Sequence, residues 1–288
     1  MKQKLKACAF LLCLALFFAL FDYALSVWGE TACPWAGNDY EVTKANHSEE
    51  VWDKVFFGNS AVISAYREDT SDSGYVNFGM DYAVVTDLWQ ILKQGHVDIG
   101  SELVIGLNLF ALYDDFDTNP AYIWHRKALE PYAYFHRDKL LQMMKDTVKP
   151  LLGREVPQYT VGEKILYYGS LSDAQLQEKM DTYHENYFNL PIEDFQDNIK
   201  ALASIADWCN ERGVRLRILW MPFNPSVERP QLMLDLQEQV NGWCAEQGIP
   251  VEDYTDRLDE TCFHDVGHLN YEYGAYVFTK EVDQWLQN

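Results

Sequence analysis

The chain has 288 residues, 48% of them hydrophobic and 15% aromatic, and a formal net charge of −21. That much apolar surface excludes a disordered chain and calls for a folded core. Three of the 23 basic residues and none of the 44 acidic ones precede residue 22. The rest of the chain is therefore more negative still, and a nucleic acid would have to approach against that field; no nucleic-acid partner is expected.

Lys2, Lys4 and Lys6 lead into an apolar run from Ala7 to Phe21, with a looser hydrophobic tail to Trp28. A charged start before such a run predicts either a secretory signal, with Ala24-Leu25-Ser26 as its cleavage site, or an uncleaved anchor from about Leu5 to Trp28. Residues 1–28 are assigned to this leader. Positive charge on its N-terminal side places the rest of the chain outside the cytoplasm in either case, with the membrane as a partner through the N-terminal segment. Residues 29–52 are polar, carry Pro34, Gly37, Asn38 and Asn46, and read as a linker. In an oxidising compartment Cys33, Cys209, Cys244 and Cys262 allow two disulfides with three connectivities, and the sequence does not choose among them. No C-x-x-C spacing is present to suggest zinc.

The domain proper spans 53–288. Val55 to Phe57 is a continuous apolar run that ends in Gly58-Asn59-Ser60 and passes into a helical stretch, Ala61 to Tyr66. Tyr75 to Gly79 is a second short strand. Tyr82 to Gln94 places Val84, Val85, Leu88, Trp89, Ile91 and Leu92 on one helical stripe. Leu103 to Phe110 is a third strand, again nearly continuous in apolar residues. Residues 111–190 break this alternation: they hold nine of the 18 tyrosines, little strand character, and read as an α-helical insertion. Its tyrosines are expected either to fill a small second core or to offer a platform for sugar rings.

Alternation resumes with a helical stripe from Phe195 to Cys209 that stops at Arg212-Gly213. A strand comes next from Val214 to Trp220, then a helix from Gln231 to Glu246 ending at Gly248, a short strand from Pro250 to Tyr254, and a last helix from Tyr271 to Leu286. Strands alternating with helices predict a parallel sheet covered on both faces, a flavodoxin-like three-layer α/β/α sandwich of about five strands.

In such a sheet the carboxyl ends of the strands bind ligands. Ser60 is at one of those ends and at the positive end of a helix, a suitable place for a nucleophile; its plain alternative is a helix N-cap. Asp265 and His268 lie in the loop before the last helix. An aspartate three residues before a histidine can accept the Nδ1 proton and leave Nε2 for a serine hydroxyl, which needs such help to attack at neutral pH. His268 as a capping or core residue is the alternative. His264 with Asp265 and His268 would be a metal set without an evident further ligand. No cofactor is implied.

The order Ser60 after the first strand, Gly79 after the second, Asn108 at the end of the third, and Asp265-x-x-His268 before the last helix resembles the SGNH hydrolases, also called GDSL esterases. The resemblance covers about 53–110 and 192–288, not 111–190. It implies Ser60 as nucleophile, His268 as base and Asp265 as its orienting acid, with Ser60, Gly79 and Asn108 forming the oxyanion hole. Two positions depart from the pattern: Asn59 stands where the family has aspartate, and Leu109 comes after Asn108 where it has a second aspartate. Together with the leader, the chain resembles the DltD-like, polysaccharide O-acyltransferase-associated branch. That implies an acylated glycan or other cell-envelope polymer as substrate, water or a sugar hydroxyl as acceptor, and a membrane-bound O-acyltransferase as a partner. An exported binding or assembly protein without chemistry is the alternative from another class.

Overall fold

The computed structural model describes residues 2–32, 39–116, 118–119, 122–125, 133, 141, 148–154 and 164–288. The chain divides into two compact units, residues 1–42 with 120–163 and residues 43–119 with 164–288. In the first, α1 (Lys2–Ala32) is long and apolar enough from Lys4 to Leu25 to cross a membrane. Tyr40 and Tyr122 both pack on the indole of Trp124 in the same unit.

The second unit holds the sheet, β1 (Val51–Gly58), β2 (Val76–Gly79), β3 (Asp98–Leu107), β4 (Arg215–Trp220) and β5 (Val251–Asp253), all parallel in the order 2-1-3-4-5. Its helices are α3 (Ser60–Ala65), α4 (Val85–Gln94), α5 (Leu109–Leu112), α6 (Asp173–Asn186), α7 (Gln196–Arg212), α8 (Gln231–Gln247) and α9 (Gly274–Leu286), while α2 (Asp39–Asn46) runs across the boundary between the units. This is the expected three-layer sandwich. Side chains alternate across the strands: Phe56, Val104 and Leu219 meet α3 and α9 in one core, and α4 packs with α7.

Several boundaries move from those expected. Residues 39–46 and 51–52, inside the expected linker, are helix and strand. β3 starts five residues before its apolar run, because Asp98, Ile99 and Glu102 pair with β1 and Glu102 with β4 at a partly exposed sheet end, where Ile99 is the single hydrophobic side chain. It also ends at Leu107, where Asn108 turns the chain into α5. Of the tyrosine-rich insertion, the described residues include α6 and the stretch 164–172; the expectation of an α-helical insertion falls partly on residues outside those described. Cys209, Cys244 and Cys262 are buried free thiols, while Cys33 is outside the described residues. Burial pushes the Cys209 and Cys244 thiols up to about 12.

The approach of α3 to the sheet sets the geometry of the carboxyl edge. A Cβ on Gly58 would meet Val62 Cγ2 at 2.3 Å, and one on Gly106 would meet the same methyl at 2.5 Å. Only hydrogen at both positions lets the first turn of α3 rest on the ends of β1 and β3. Buried Asn77 holds the other end of the helix, its Nδ2 donating to the carbonyls of Val62 (3.3 Å) and Tyr66 (2.6 Å). Gly106→Ala is therefore expected to destabilise the fold by about 1–3 kcal/mol through overpacking. In a double-mutant cycle monitored by thermal and urea melts, adding Val62→Ala should cost less than the two single losses combined. Strict additivity would show that the methyl contact does not set the helix.

Candidate active site

The order 2-1-3-4-5 reverses direction between β1 and β3, and the crevice at such a switch point is where open α/β sheets place ligands. Ser60 comes two residues after the end of β1 and Asn108 directly after β3, which puts both at that crevice. Asn59, not Ser60, caps α3: its Oδ1 accepts from the Ala61 N–H at 3.0 Å. Ser60 is thereby the first residue of the helix with its hydroxyl uncommitted to capping. Asn108 caps α5 in the same way, accepting from the Ala111 N–H at 2.9 Å. The two amides also face each other, Asn59 Nδ2 donating to Asn108 Oδ1 at 2.9 Å and Asn108 Nδ2 donating to Asn59 Oδ1 at 3.2 Å. One Asn108 Nδ2 hydrogen is left over for a ligand.

The loop after β5 brings Asp265 and His268 to Ser60. It is held from several sides. Phe263 bridges Leu269, the His264 N–H donates to the His268 carbonyl at 2.8 Å, and Asn224 donates its N–H to Val266 O and its Nδ2 to Asp265 O. The Leu269 N–H reaches Ser64 Oγ on α3 at 3.3 Å. Within the loop, Asp265 Oδ1 accepts the N–H groups of Gly267 (3.0 Å) and His268 (2.8 Å). The imidazole Nδ1 lies 2.8 Å from Asp265 Oδ2. A carboxylate can only accept, so Nδ1 carries the proton, and in the neutral ring Nε2 accepts from Ser60 Oγ, 2.8 Å away. Sequence reasoning joins Ser60 to the distant Asp265 and His268 in one chemistry, and the structure brings them into one hydrogen-bonded chain.

Lys179 of α6 was not singled out from sequence. Its ammonium donates to Asp265 Oδ2. Only 1% of the Asp265 side chain is exposed. Burial works to raise its carboxyl, and the charges and hydrogen bonds of His268 and Lys179 outweigh burial and hold it well below the usual carboxylate range. Tyr167 stacks on the His268 ring, centroids 4.1 Å apart and planes within 16°. Burial pushes the Tyr167 and Tyr183 phenols up, with the charges of Asp81 and Asp265 adding to Tyr167 and that of Asp265 to Tyr183, so both stay neutral. The clue to all three residues is that 164–190 returns to the sheet's carboxyl edge, which no local pattern reveals.

Gly79 is placed differently from expectation. Its N–H donates to Asn77 Oδ1 at 2.9 Å, and it does not line the cavity at Ser60. The amide that the resemblance assigns to an oxyanion is occupied by a side chain two residues earlier. The Ser60 N–H, by contrast, has no protein acceptor among the described residues. His264 also turns away, its Nδ1 on the carbonyls of Tyr168 (3.0 Å) and Gly169 (3.1 Å). Among the described residues no three His, Cys, Asp or Glu side chains converge as a metal-ligand set.

The cavity beside Ser60 has a volume of about 270 Å³ and is bordered at its polar end by Asn59, Ser60, Asn108, Lys179 and His268. Tyr82, on its wall, is the single non-glycine residue with positive φ (57°) among the described residues, a conformation that costs about 1–3 kcal/mol and persists when its surroundings enforce it. Its ring rests on Phe116 at 5.5 Å.

No family model matches the chain, and no curated protein matches it. Among solved structures, a putative acylhydrolase from Bacteroides fragilis is similar over 84% of this chain and 88% of its own, at 12% identity and a TM-score of 0.42; a likeness that distant carries no argument about chemistry.

The depressed Asp265 carboxyl makes stability depend on pH. An unfolded aspartate titrates near 3.9, roughly. The stabilising contribution is therefore complete above about pH 4–5 and is lost as pH falls toward the lower folded value. Asp265→Asn should be less stable at pH 7, by about 3 kcal/mol, because it leaves Lys179 without its counter-charge. Its Tm should also fall less steeply than that of the wild type between pH 5 and pH 2. Parallel melting curves over that range would exclude Asp265 as the source of acid sensitivity.

Proposed function

We propose that the chain is an exported, serine-dependent ester hydrolase or O-acyltransferase of the SGNH type, acting on acyl groups of a cell-envelope glycan or polymer through an acyl-serine. The observation that carries this reading is the continuous hydrogen-bonded chain from Ser60 Oγ through His268 to the buried Asp265 carboxylate, 2.8 Å at each of its two links. The serine lies at the mouth of a cavity and at the start of a helix. The lysine-led apolar helix, spanning from Lys4 to Leu25, supports placement of the domain outside the cytoplasm. The SGNH and DltD-like resemblance of the sequence supports the choice of acylated envelope polymers, with a membrane-bound O-acyltransferase as the partner that supplies or shares the acyl group.

In the first step His268 Nε2 takes the Ser60 proton as Oγ attacks the ester carbonyl, and Asp265 stabilises the imidazolium. The oxyanion is met by the Ser60 N–H and the remaining Asn108 Nδ2 hydrogen. Collapse breaks the bond to the alcohol, which leaves with the proton from His268. Water or a sugar hydroxyl, deprotonated by His268, then attacks the acyl-serine and releases the acid or a new ester with Ser60 restored.

The test is labelling of the full chain with a serine-reactive fluorophosphonate. The wild type should label, and Ser60→Ala and His268→Ala should not, with melting curves showing each variant folded. A folded wild type that labels no more than Ser60→Ala would remove catalysis from the reading and leave an SGNH-like binding or assembly protein. Asn108→Ala should retain labelling at a rate lower by about 10²-fold, the loss typical of one oxyanion donor.

A further inference from the structure

The cavity at Ser60 is two-sided in its chemistry. Its amide, hydroxyl and charged groups gather at the nucleophile, while the remaining wall is mainly aromatic and aliphatic, with the phenols of Tyr82, Tyr167, Tyr183 and Tyr187 as its polar groups. From the end of β3 and the residues after it come Leu109, Phe110 and Phe116; from α6 and its C-terminal end come Tyr183 and Tyr187; from the end of β4 and from α8 come Met221 and Met233. Phe110 is the hinge of this wall, with its ring 4.9 Å from Tyr183, 5.2 Å from Tyr187 and 5.6 Å from Phe116. Tyr187 lies 6.2 Å from Phe116. Rings that meet largely edge to face pack against each other and offer mainly apolar surface. A sugar subsite would also need amides, carboxylates or charged side chains around an open ring face to hold the hydroxyls, and beyond the polar end the described lining has none. Among the described residues of the lining there is no aspartate or glutamate to receive an ammonium group, and the single charged side chain, Lys179, is already paired with Asp265.

Size narrows the ligand further. An apolar cavity of about 150 Å³ holds a benzene ring, and this one is about 270 Å³. An acetyl group would leave most of it empty, whereas a chain of about six to ten carbons fills it by the same scale. Resting on the reading of Ser60 as nucleophile, we propose that this cavity holds the acyl chain of the ester, and that the chain is an uncharged aliphatic of medium length, not an acetyl or an aminoacyl group. The glycan or other alcohol then lies on the opposite side of the ester carbonyl, outside this wall.

The experiment is a chain-length series on the full chain with p-nitrophenyl acetate, butyrate, octanoate and dodecanoate. Each buried methylene is worth roughly a fourfold gain in binding at most. The value of kcat/KM should therefore rise at least tenfold from acetate to octanoate and fall again at dodecanoate. Met233→Trp fills the cavity and should collapse the octanoate-to-acetate ratio. Phe110→Ala, at a half-buried position that threatens the fold less, should also lower it. In parallel, sodium octanoate should raise the Tm of Ser60→Ala, and should do so less in Ser60→Ala/Phe110→Ala. A flat or falling series in an enzyme that labels with fluorophosphonate overturns the chain assignment and leaves the esterase reading standing. Absent turnover, octanoate stabilisation that depends on Phe110 upholds the pocket and removes the nucleophile. Neither turnover nor octanoate stabilisation overturns both.

Discussion

The contact on which the site depends is the seating of α3 on the ends of β1 and β3. Gly58 and Gly106 lack the Cβ atoms that would collide with Val62, so the helix starts almost in the plane where the strands stop. The helix is short and its side chains are buried, which leaves no freedom to tilt. Asn77 then anchors its far end from β2, and Thr279 of α9 donates to Ala65 O at 3.1 Å. Fixed at both ends, α3 holds the Ser60 hydroxyl at the crevice where the strand order reverses. A larger residue at either glycine would lift the first turn and carry Ser60 away from His268 even if the sheet survived.

Asp265 gathers the remaining parts. Its carboxylate is buried and accepts two backbone N–H groups of its own loop, the His268 imidazole and the Lys179 ammonium. A buried carboxylate without partners would be protonated instead. Here the partners come from two separate stretches of chain, the loop before α9 and helix α6 of the inserted segment. The insertion is thus part of the site's electrostatics: removing Lys179 would leave the buried carboxylate with imidazole as its single side-chain partner. Tyr167, from the same returning stretch, covers one face of that imidazole. Stacked on one face and bonded to Asp265 through Nδ1, the ring has little freedom to turn.

Much of this was legible in sequence, for identifiable reasons. Buried parallel strands need apolar side chains on both faces, so β1 and β4 are visible as runs, and Gly213 and Gly248 mark helix ends because both take φ near 70°. Ser60, Asp265 and His268 are recognisable because Ser60 closes an apolar strand at the sheet's carboxyl edge and Asp265 stands three residues before His268 in the loop after the last strand. The rest depends on contacts between remote residues. Nothing near Asn59 in sequence reveals that its amide faces Asn108, nothing near Lys179 points to Asp265, and nothing near Gly79 shows that its N–H is taken by the side chain of Asn77. The opening residues of β3 were missed for a different reason, since a polar strand end at a sheet margin carries no hydrophobic pattern.

The amide at position 59 has an electrostatic meaning that the overall charge obscures. A chain with a net charge of −21 disfavours added negative charge at any exposed point. An oxyanion beside Asn108 would be next to residue 59, whose side chain meets Asn108 through both its oxygen and its nitrogen. A carboxylate there would bring a fixed negative charge close to the developing one, a repulsion of several kcal/mol in a partly dry cavity by a Coulomb estimate of roughly 332/(εr) with ε about 20. Asn59 performs the same capping of α3 without that charge, and its Nδ2 supplies the donor that Asn108 Oδ1 needs to keep the Asn108 Nδ2 directed at the crevice. With Lys179 offsetting Asp265, the polar end of the cavity is close to neutral before reaction. Under the proposed reaction the negative charge that develops there meets oriented N–H groups, and the acidic remainder of the chain acts only from a distance.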